Sequence, residues 1–322
     1  MTNVLVTGCT GFIGSHLSIK LVDEGFTVYG LVRHISRREL IPLACVLDRM
    51  HLVEGDLTQY HSVRSTIRVV QPQFLIHLGA ITPVRLSFED PYPYILTNVV
   101  GTANIIHVMV EEAPKARLVF ASTAEVYGWQ KTRKPTEETA PLNPASPYAV
   151  SKEAADQYVR MAMKVYGVKA TILRPNNTYG RRTEKGFIVE YVISSMLKGE
   201  TCYIGAAKSI RDYMFIDDHV QAYLLSMKSE KAVGEVFNVS PGNPVTNREL
   251  TELIADLTNF KGKIVYGSYP PGYPQRPAIW DPDYLVLDSN EIRQKLGWKP
   301  KLSLREGLAR TVQMWKNESK SH

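Results

Sequence analysis

Short apolar runs alternate with helically spaced apolar positions through the first half of the chain. Val4-Leu5-Val6 is an apolar run that stops at Thr7-Gly8, the pattern of a strand buried on both faces. Phe12, Ile13, Leu17, Leu21 and Val22 then recur at helical spacing until Gly25 ends the segment. The same alternation predicts strands over 27–32, 51–53, 74–78, 117–121 and 170–173, and helices over 60–70, 94–110 and 148–166. Strand and helix in repeated succession with short links mean a parallel sheet covered by helices on both faces.

After Pro175 the rhythm changes. Helices are predicted over 187–198, 218–228, 247–258, 289–296 and 304–315, with short strands near 202–204, 235–239, 263–266 and 284–287. Three of these helices open with capping-box spacing: Thr246 before Glu249, Asp288 before Glu291, and Ser303 before Glu306. The stretch 269–277 is too rich in proline for either element.

Composition narrows the function classes. The 322 residues are 44% hydrophobic and 22% charged, which excludes a disordered tail, a coiled coil and a collagen-like fibre. Lys and Arg number 38 against 32 Asp and Glu, a net charge of +6. That balance suits nucleic acid, an anionic membrane surface or a phosphorylated small molecule. No long basic helix or aromatic-interleaved basic stripe is present, so the expectation is no nucleic acid and no membrane. Cys9, Cys45 and Cys202 are too scattered for a disulfide framework or a metal knuckle, and no metal is expected. The start, Met1 to Gly8, lacks the pattern of a signal peptide, and no run reads as a membrane span. A soluble, cytoplasmic protein is expected.

The chemistry begins at Thr7-Gly8-Cys9-Thr10-Gly11-Phe12-Ile13-Gly14, between the first strand and the first helix. Gly8 permits the tight turn, Gly11 lets backbone approach a pyrophosphate, and Gly14 lets helix and sheet pack closely. The phosphates then meet free N–H groups at the helix start. The expected architecture is therefore α/β: a Rossmann-type doubly wound parallel sheet over 1–175, to which parts of 205–245 return. A smaller C-terminal α/β domain over 176–322 is expected to bind substrate.

At the end of the second strand an acid would accept hydrogen bonds from the ribose of NAD, whereas arginine pairs with the extra phosphate of NADP. Here Arg33, Arg37 and Arg38 precede the first acid, Glu39. Arg33 with Arg37 or Arg38 are the candidate phosphate ligands, and NADP is expected over NAD. Tyr148 and Lys152 stand one helical turn apart and can share a cleft. A nearby ammonium favours phenolate, which suits Tyr148 for acid–base work. Ser122-Thr123-Ala124-Glu125 ends a preceding strand, where parallel-sheet active sites are built.

Thr7–Gly14, Ser122–Gly128, Tyr148–Lys152, Arg174–Gly180 and Arg211–Asp218 together resemble the extended short-chain dehydrogenase/reductase family. Within it they are similar to the nucleotide-sugar epimerases, 4,6-dehydratases and 4-ketoreductases, from Val4 to about Trp315. The resemblance implies that Tyr148 takes the proton of a sugar hydroxyl while hydride leaves that carbon for a nicotinamide. It implies that Lys152 holds the nicotinamide ribose and lowers the Tyr148 pKa, and that Thr123 hydrogen-bonds the reacting oxygen. Asp56-Leu57 matches the pair that contacts adenine, and Leu78-Gly79-Ala80 the loop lining the cofactor, with glycine in place of the more usual alanine. Asp56 also reads as a simple turn-initiating aspartate.

Glu125 decides the expected outcome. A 4-keto sugar has an acidic C5 proton, and a carboxylate beside it can drive loss of water from C6. The family's dehydratases carry glutamate here after an acid or serine; this chain has Ala124 instead, which cannot donate a proton. The Arg33 segment resembles GDP-mannose 4,6-dehydratases, so an NDP-hexose 4,6-dehydratase acting on a GDP- or UDP-linked hexose is expected. A 4-epimerase and a 4-keto-6-deoxy-sugar reductase are the alternatives, and a non-catalytic dinucleotide sensor is the alternative of another class. By the resemblance Asn177, Arg211 and Arg276 bind the sugar diphosphate and Arg85 touches the sugar; Arg181, Arg182 and Lys185 either extend that cradle or lie in solvent. It also implies a homodimer paired through the helices at about 94–110 and 148–166.

Overall fold

Fourteen strands form around one dominant sheet in the computed structural model of the chain, which describes residues 2–36, 40–181, 186–270, 272 and 282–318. In chain order they are β1 (Asn3–Thr7), β2 (Thr27–Val32), β3 (His51–Glu54), β4 (Phe74–His77), β5 (Arg117–Ala121), β6 (Ala170–Pro175) and β7 (Asn177–Tyr179). There follow β8 (Cys202–Ile204), β9 (Ile210–Arg211), β10 (Tyr213–Phe215), β11 (Val236–Val239), β12 (Val245–Thr246), β13 (Ile264–Tyr266) and β14 (Tyr284–Leu285). Seven of them make a sheet in the order β11-β6-β5-β4-β1-β2-β3, with every neighbouring pair parallel. This is the doubly wound arrangement, and its strand order reverses between β1 and β4. β11 comes from the second half of the chain and pairs with β6 at the sheet's edge.

The apolar runs behave as two-sided strands. Val4, Leu5 and Val6 are all fully buried. Val4 and Val6 join the cluster holding Leu17, Leu21 and Leu224, whereas Leu5 joins the one on the other face with Ile67, Ile105 and Phe120. Successive side chains leave a strand on opposite faces, so a run without polar gaps requires cover on both. Burying each such side chain contributes about 1.5–3 kcal/mol.

Several elements escape the sequence pattern. The helix Val84–Glu89 and the strands β7, β9, β10 and β12 are too short to show a period, and their pairing partners lie far along the chain. Of the three capping boxes, Thr246 with Glu249 and Ser303 with Glu306 form. Asp288 does not: its carboxylate accepts the backbone N–H of Asn290 at 2.7 Å, a turn two residues long, and the helix begins at Asn290.

The helix Tyr92–Glu112 corrects another expectation. At 21 residues it is long and apolar enough to cross a membrane by length and composition. Its polar side chains are committed inside the fold: Asn98 donates to Ser151 at 2.9 Å, Asn104 to the Leu57 carbonyl at 2.8 Å, and Thr102 meets His77 at 3.1 Å. Its turn at Ile95–Val100 is a π-helix, a widened turn often found beside functional sites.

Candidate active site

A cleft of about 780 Å³ opens at the carboxyl ends of β1, β4, β5 and β6, across the point where the strand order reverses. Ligands of open α/β sheets bind at that position. The glycine loop forms one wall. Gly8 has φ +69°, and a Cβ on Gly14 would stand 2.0 Å from the Gly8 carbonyl oxygen, so any side chain there forces the helix off the loop. Gly11 caps the helix Phe12–Asp23 with no side-chain hydrogen bond, and no acid stands in the first turn. The helix start therefore presents open N–H donors and positive potential to an anion.

The loop after β4 is held by a directed chain of hydrogen bonds. Thr102 spends its proton on the Asn98 carbonyl at 2.6 Å, so it accepts from His77 Nε2–H at 3.1 Å. His77 Nδ1 then accepts the Thr7 hydroxyl at 2.7 Å, and Thr7 Oγ1 accepts the Gly79 N–H at 2.9 Å. Burial, with the Lys152 charge adding to it, pushes the His77 pKa down to about 3, which keeps the ring in this neutral role. Gly79 has a local reason as well: a Cβ would meet Leu57 Cδ1 at 2.6 Å. Leu57, Leu78, Gly79 and Ala80 all line the cleft. Asp56 lines it too while accepting the Thr58 N–H and hydroxyl at 2.8 and 2.9 Å, so it is both turn-former and cleft residue.

Thr123 caps the short 3₁₀ turn Ala124–Tyr127 by accepting the Glu125 N–H at 3.2 Å, and its hydroxyl stands near enough to Tyr148 to favour the phenolate. Tyr148 and Lys152 lie on the helix Pro147–Val165, which Ser146 caps through the Ala149 N–H. Both side chains are buried, and both line the cleft with Thr123 and Glu125. Burial holds the Tyr148 phenol above the usual tyrosine range; the Thr123 hydroxyl opposes this, and Glu125 and Tyr94 reinforce it. The lowering expected from Lys152 is not what governs Tyr148. Desolvation penalises phenolate first, and the Lys152 ammonium sits 4.4 Å from the centre of the Phe120 ring, with Asp156 one turn further along the helix. Burial pushes the Lys152 pKa down to about 8, against the pull of Asp156.

Other predicted residues divide. Arg33 and Asn177 line the cleft, Arg33 as an exposed side chain at its rim. Arg85 stands outside the lining, paired with Glu89 one turn along its own helix. Arg211 is buried outside the lining as well, donating to the Ile210 and Pro282 carbonyls at 2.9 and 2.6 Å. Arg37, Arg38, Arg182, Lys185 and Arg276 lie outside the described residues.

Arg181, left open between cradle and solvent, is an inner wall residue. Its guanidinium lies 4.2 Å from the Phe12 ring centre and 3.6 Å from that of Phe187, and donates to the Thr178 carbonyl. Three groups went unread in the sequence. Asp156 is fully buried, accepts from Ser122 at 2.6 Å and grips Arg174, and its signal was its place one turn beyond Lys152. His219 and Tyr223, one turn apart on the helix Ile216–Lys228, also line the cleft.

The sheet order, the uncapped helix beneath a glycine turn and the Tyr148–Lys152 pair define a dinucleotide-binding site of the short-chain dehydrogenase/reductase type. A family model described as GDP-mannose 4,6 dehydratase matches residues 5–311, and the chain belongs to that family, an enzyme of the extended short-chain dehydrogenase/reductase class. It is 32% identical to a UDP-glucose 4-epimerase of Mycolicibacterium smegmatis, over 98% of this chain and 99% of that one. Among solved structures, a UDP-glucose 4-epimerase from Thermotoga maritima with UDP-glucose superposes with a TM-score of 0.88 at 30% identity, over 99% of this chain and 100% of that one. A dTDP-glucose 4,6-dehydratase from Streptomyces venezuelae with NAD bound gives 0.86 at 28% identity, over 99% and 98%.

Proposed function

We propose that the protein is an NDP-hexose 4,6-dehydratase that oxidises C4 of the sugar and eliminates water across C5 and C6. The observation that carries this reading is Glu125, whose carboxylate lines the cleft near enough to Tyr148 for its charge to act on the phenol. A carboxylate there can take the C5 proton of a 4-keto sugar and return it to the departing C6 hydroxyl. Tyr148 accepts the C4 hydroxyl proton with Thr123 orienting the same oxygen, and Lys152 holds the ribose of the cofactor. Ala124 beside them supplies no proton, so Glu125 serves as both base and acid.

A nicotinamide dinucleotide, when bound, would supply the acceptor for the C4 hydride and, after water is lost, the donor of that hydride to C6 as C5 regains a proton, so the net change is one water. NAD in the Streptomyces venezuelae relative supports such a cofactor, and Arg33 at the rim supports NADP over NAD here. The substrate is an NDP-sugar, in line with the UDP-glucose of the Thermotoga maritima relative, with Asn177 toward its diphosphate. The working unit is a homodimer: exposed Ile95, Val100, Val110, Val150 and Val165 stand on the two helices Tyr92–Glu112 and Pro147–Val165.

Ala124 and the epimerase relatives support a second reading, a 4-epimerase. The two separate in one experiment. Purified protein is incubated with GDP-mannose, UDP-glucose or dTDP-glucose in the presence of NADP or NAD. A product lighter by one water supports the dehydratase. An unchanged mass with a new stereoisomer by NMR makes it an epimerase, and oxidation of NADPH on 4-keto sugars alone makes it a reductase.

A further inference from the structure

We propose that His219 and Tyr223 form a docking subsite for a primary carboxamide, the amide group of the nicotinamide ring. The inference rests on the dinucleotide reading above. Both side chains are essentially fully buried, both line the cleft, and among the described residues neither the His219 Nε2 nor the Tyr223 hydroxyl has a hydrogen-bond partner. A buried polar atom left unpaired costs about 1–3 kcal/mol, and two at one wall point to a polar ligand group that pairs them.

Their placement selects the cofactor's end of the cleft. The helix Ile216–Lys228 packs against the helix Phe12–Asp23 that carries the glycine loop. The Arg181 guanidinium covers the Phe12 ring and its charge acts on His219, while Tyr148 is near enough to Tyr223 to act on its phenol. The pair thus spans from the phosphate loop to the catalytic tyrosine, the path from pyrophosphate to nicotinamide.

The chemistry of the pair selects the ligand group. Burial, helped by the Arg181 charge, pushes the His219 pKa down to about 3, so the ring is neutral and its Nε2 either donates or accepts. Its Nδ1 meets Thr178 Oγ1 at 2.8 Å. If Nδ1 carries the proton, Nε2 accepts from the amide NH₂ and the Tyr223 hydroxyl donates to the amide oxygen. If Nε2 carries it, the two partners exchange roles. A carboxamide satisfies both tautomers because it presents one donor and one acceptor side by side, whereas an ionised phosphate, an acceptor only, cannot serve the tautomer in which Nε2 accepts.

The test titrates wild type and Tyr223→Phe with NAD and NADP, and with their counterparts lacking nicotinamide, ADP-ribose and 2′-phospho-ADP-ribose, by calorimetry. Tyr223→Phe is expected to bind the preferred dinucleotide about tenfold more weakly, the loss of one buried hydrogen bond. Its affinity for the matching ribose compound stays at the wild-type value. The unliganded variant is expected to unfold at no lower temperature, because the hydroxyl has no partner among the described residues to lose. Equal affinity of variant and wild type for the dinucleotide overturns the subsite, as does an equal loss for the compound without nicotinamide; in both cases the dinucleotide reading stands. Failure of wild type to bind any of the four ligands overturns that reading and the subsite with it.

Discussion

Asp156 holds Arg174 through two N–H···O bonds of 2.9 Å each, from Nε and Nη2, with both side chains buried almost completely. The same carboxylate takes the Ser122 hydroxyl beside Thr123, and the same guanidinium donates to the Tyr127 hydroxyl, which continues to Asn238 on β11. One ion pair therefore ties the helix bearing Tyr148 and Lys152 to β5, β6 and β11. Removing one partner leaves an uncompensated buried charge. Asp156→Ala is expected to cost about 3–5 kcal/mol in urea denaturation. A cost below about 1 kcal/mol, that of an exposed pair, would show that the network carries no weight.

Lys152 gives the stability an alkaline dependence. Its folded pKa is about 8 against an ordinary 10.5, so between those values the unfolded chain holds a proton that the folded protein has released. Raising the pH favours the state with fewer protons, here the folded one. The penalty of the buried charge is present in full below about 8 and is relieved as the pH climbs towards 10.5. Relative to Lys152→Met, the wild type is expected to gain stability over this window. A difference between the two denaturation midpoints that stays constant with pH would disprove it.

On the proposed dehydratase reading, Glu125 and Tyr148 act at different steps, and their variants separate them. Tyr148→Phe removes the group that accepts the C4 proton and is expected to slow every step by about 10²–10⁴-fold, with no reduced cofactor formed. Glu125→Gln keeps oxidation and loses elimination. Mixed with substrate, it is expected to accumulate absorbance of the reduced nicotinamide while the sugar loses two hydrogens and no water. Normal water loss by Glu125→Gln would remove the dehydratase assignment from this residue.

On the proposed NADP reading, Arg33 at the rim pairs with the 2′-phosphate. Arg33→Ala is expected to weaken NADP binding by about 10–100-fold, the loss of a charge-assisted contact to phosphate. NAD binding is expected to stay within about twofold, since its ribose hydroxyl makes no such contact. Equal changes for both dinucleotides would place the 2′-phosphate elsewhere.

The glycine loop and the Tyr148–Lys152 pair were legible because each lies within one turn or one helical repeat, where spacing alone dictates geometry. Arg211 shows the limit of that reasoning. Its residue type suited a diphosphate, yet the fold turns its guanidinium to the carbonyls of Ile210 and Pro282. No local pattern announces which partner reaches an arginine first.

The sequence by itself determined the alternation of strands and helices, the glycine turn at the start of the first helix and the helix face that carries Tyr148 and Lys152. These follow from periodicity, glycine and capping chemistry, all of which act over a few residues. Only the tertiary structure decided the environment of that pair. Tyr127 meets Asn238 across 111 residues, and His219 and Tyr223 reach the wall of a cleft whose glycine loop begins at Gly8. Burial and unpaired polar atoms arise from contacts between distant segments, and desolvation acts most strongly where those contacts exclude water.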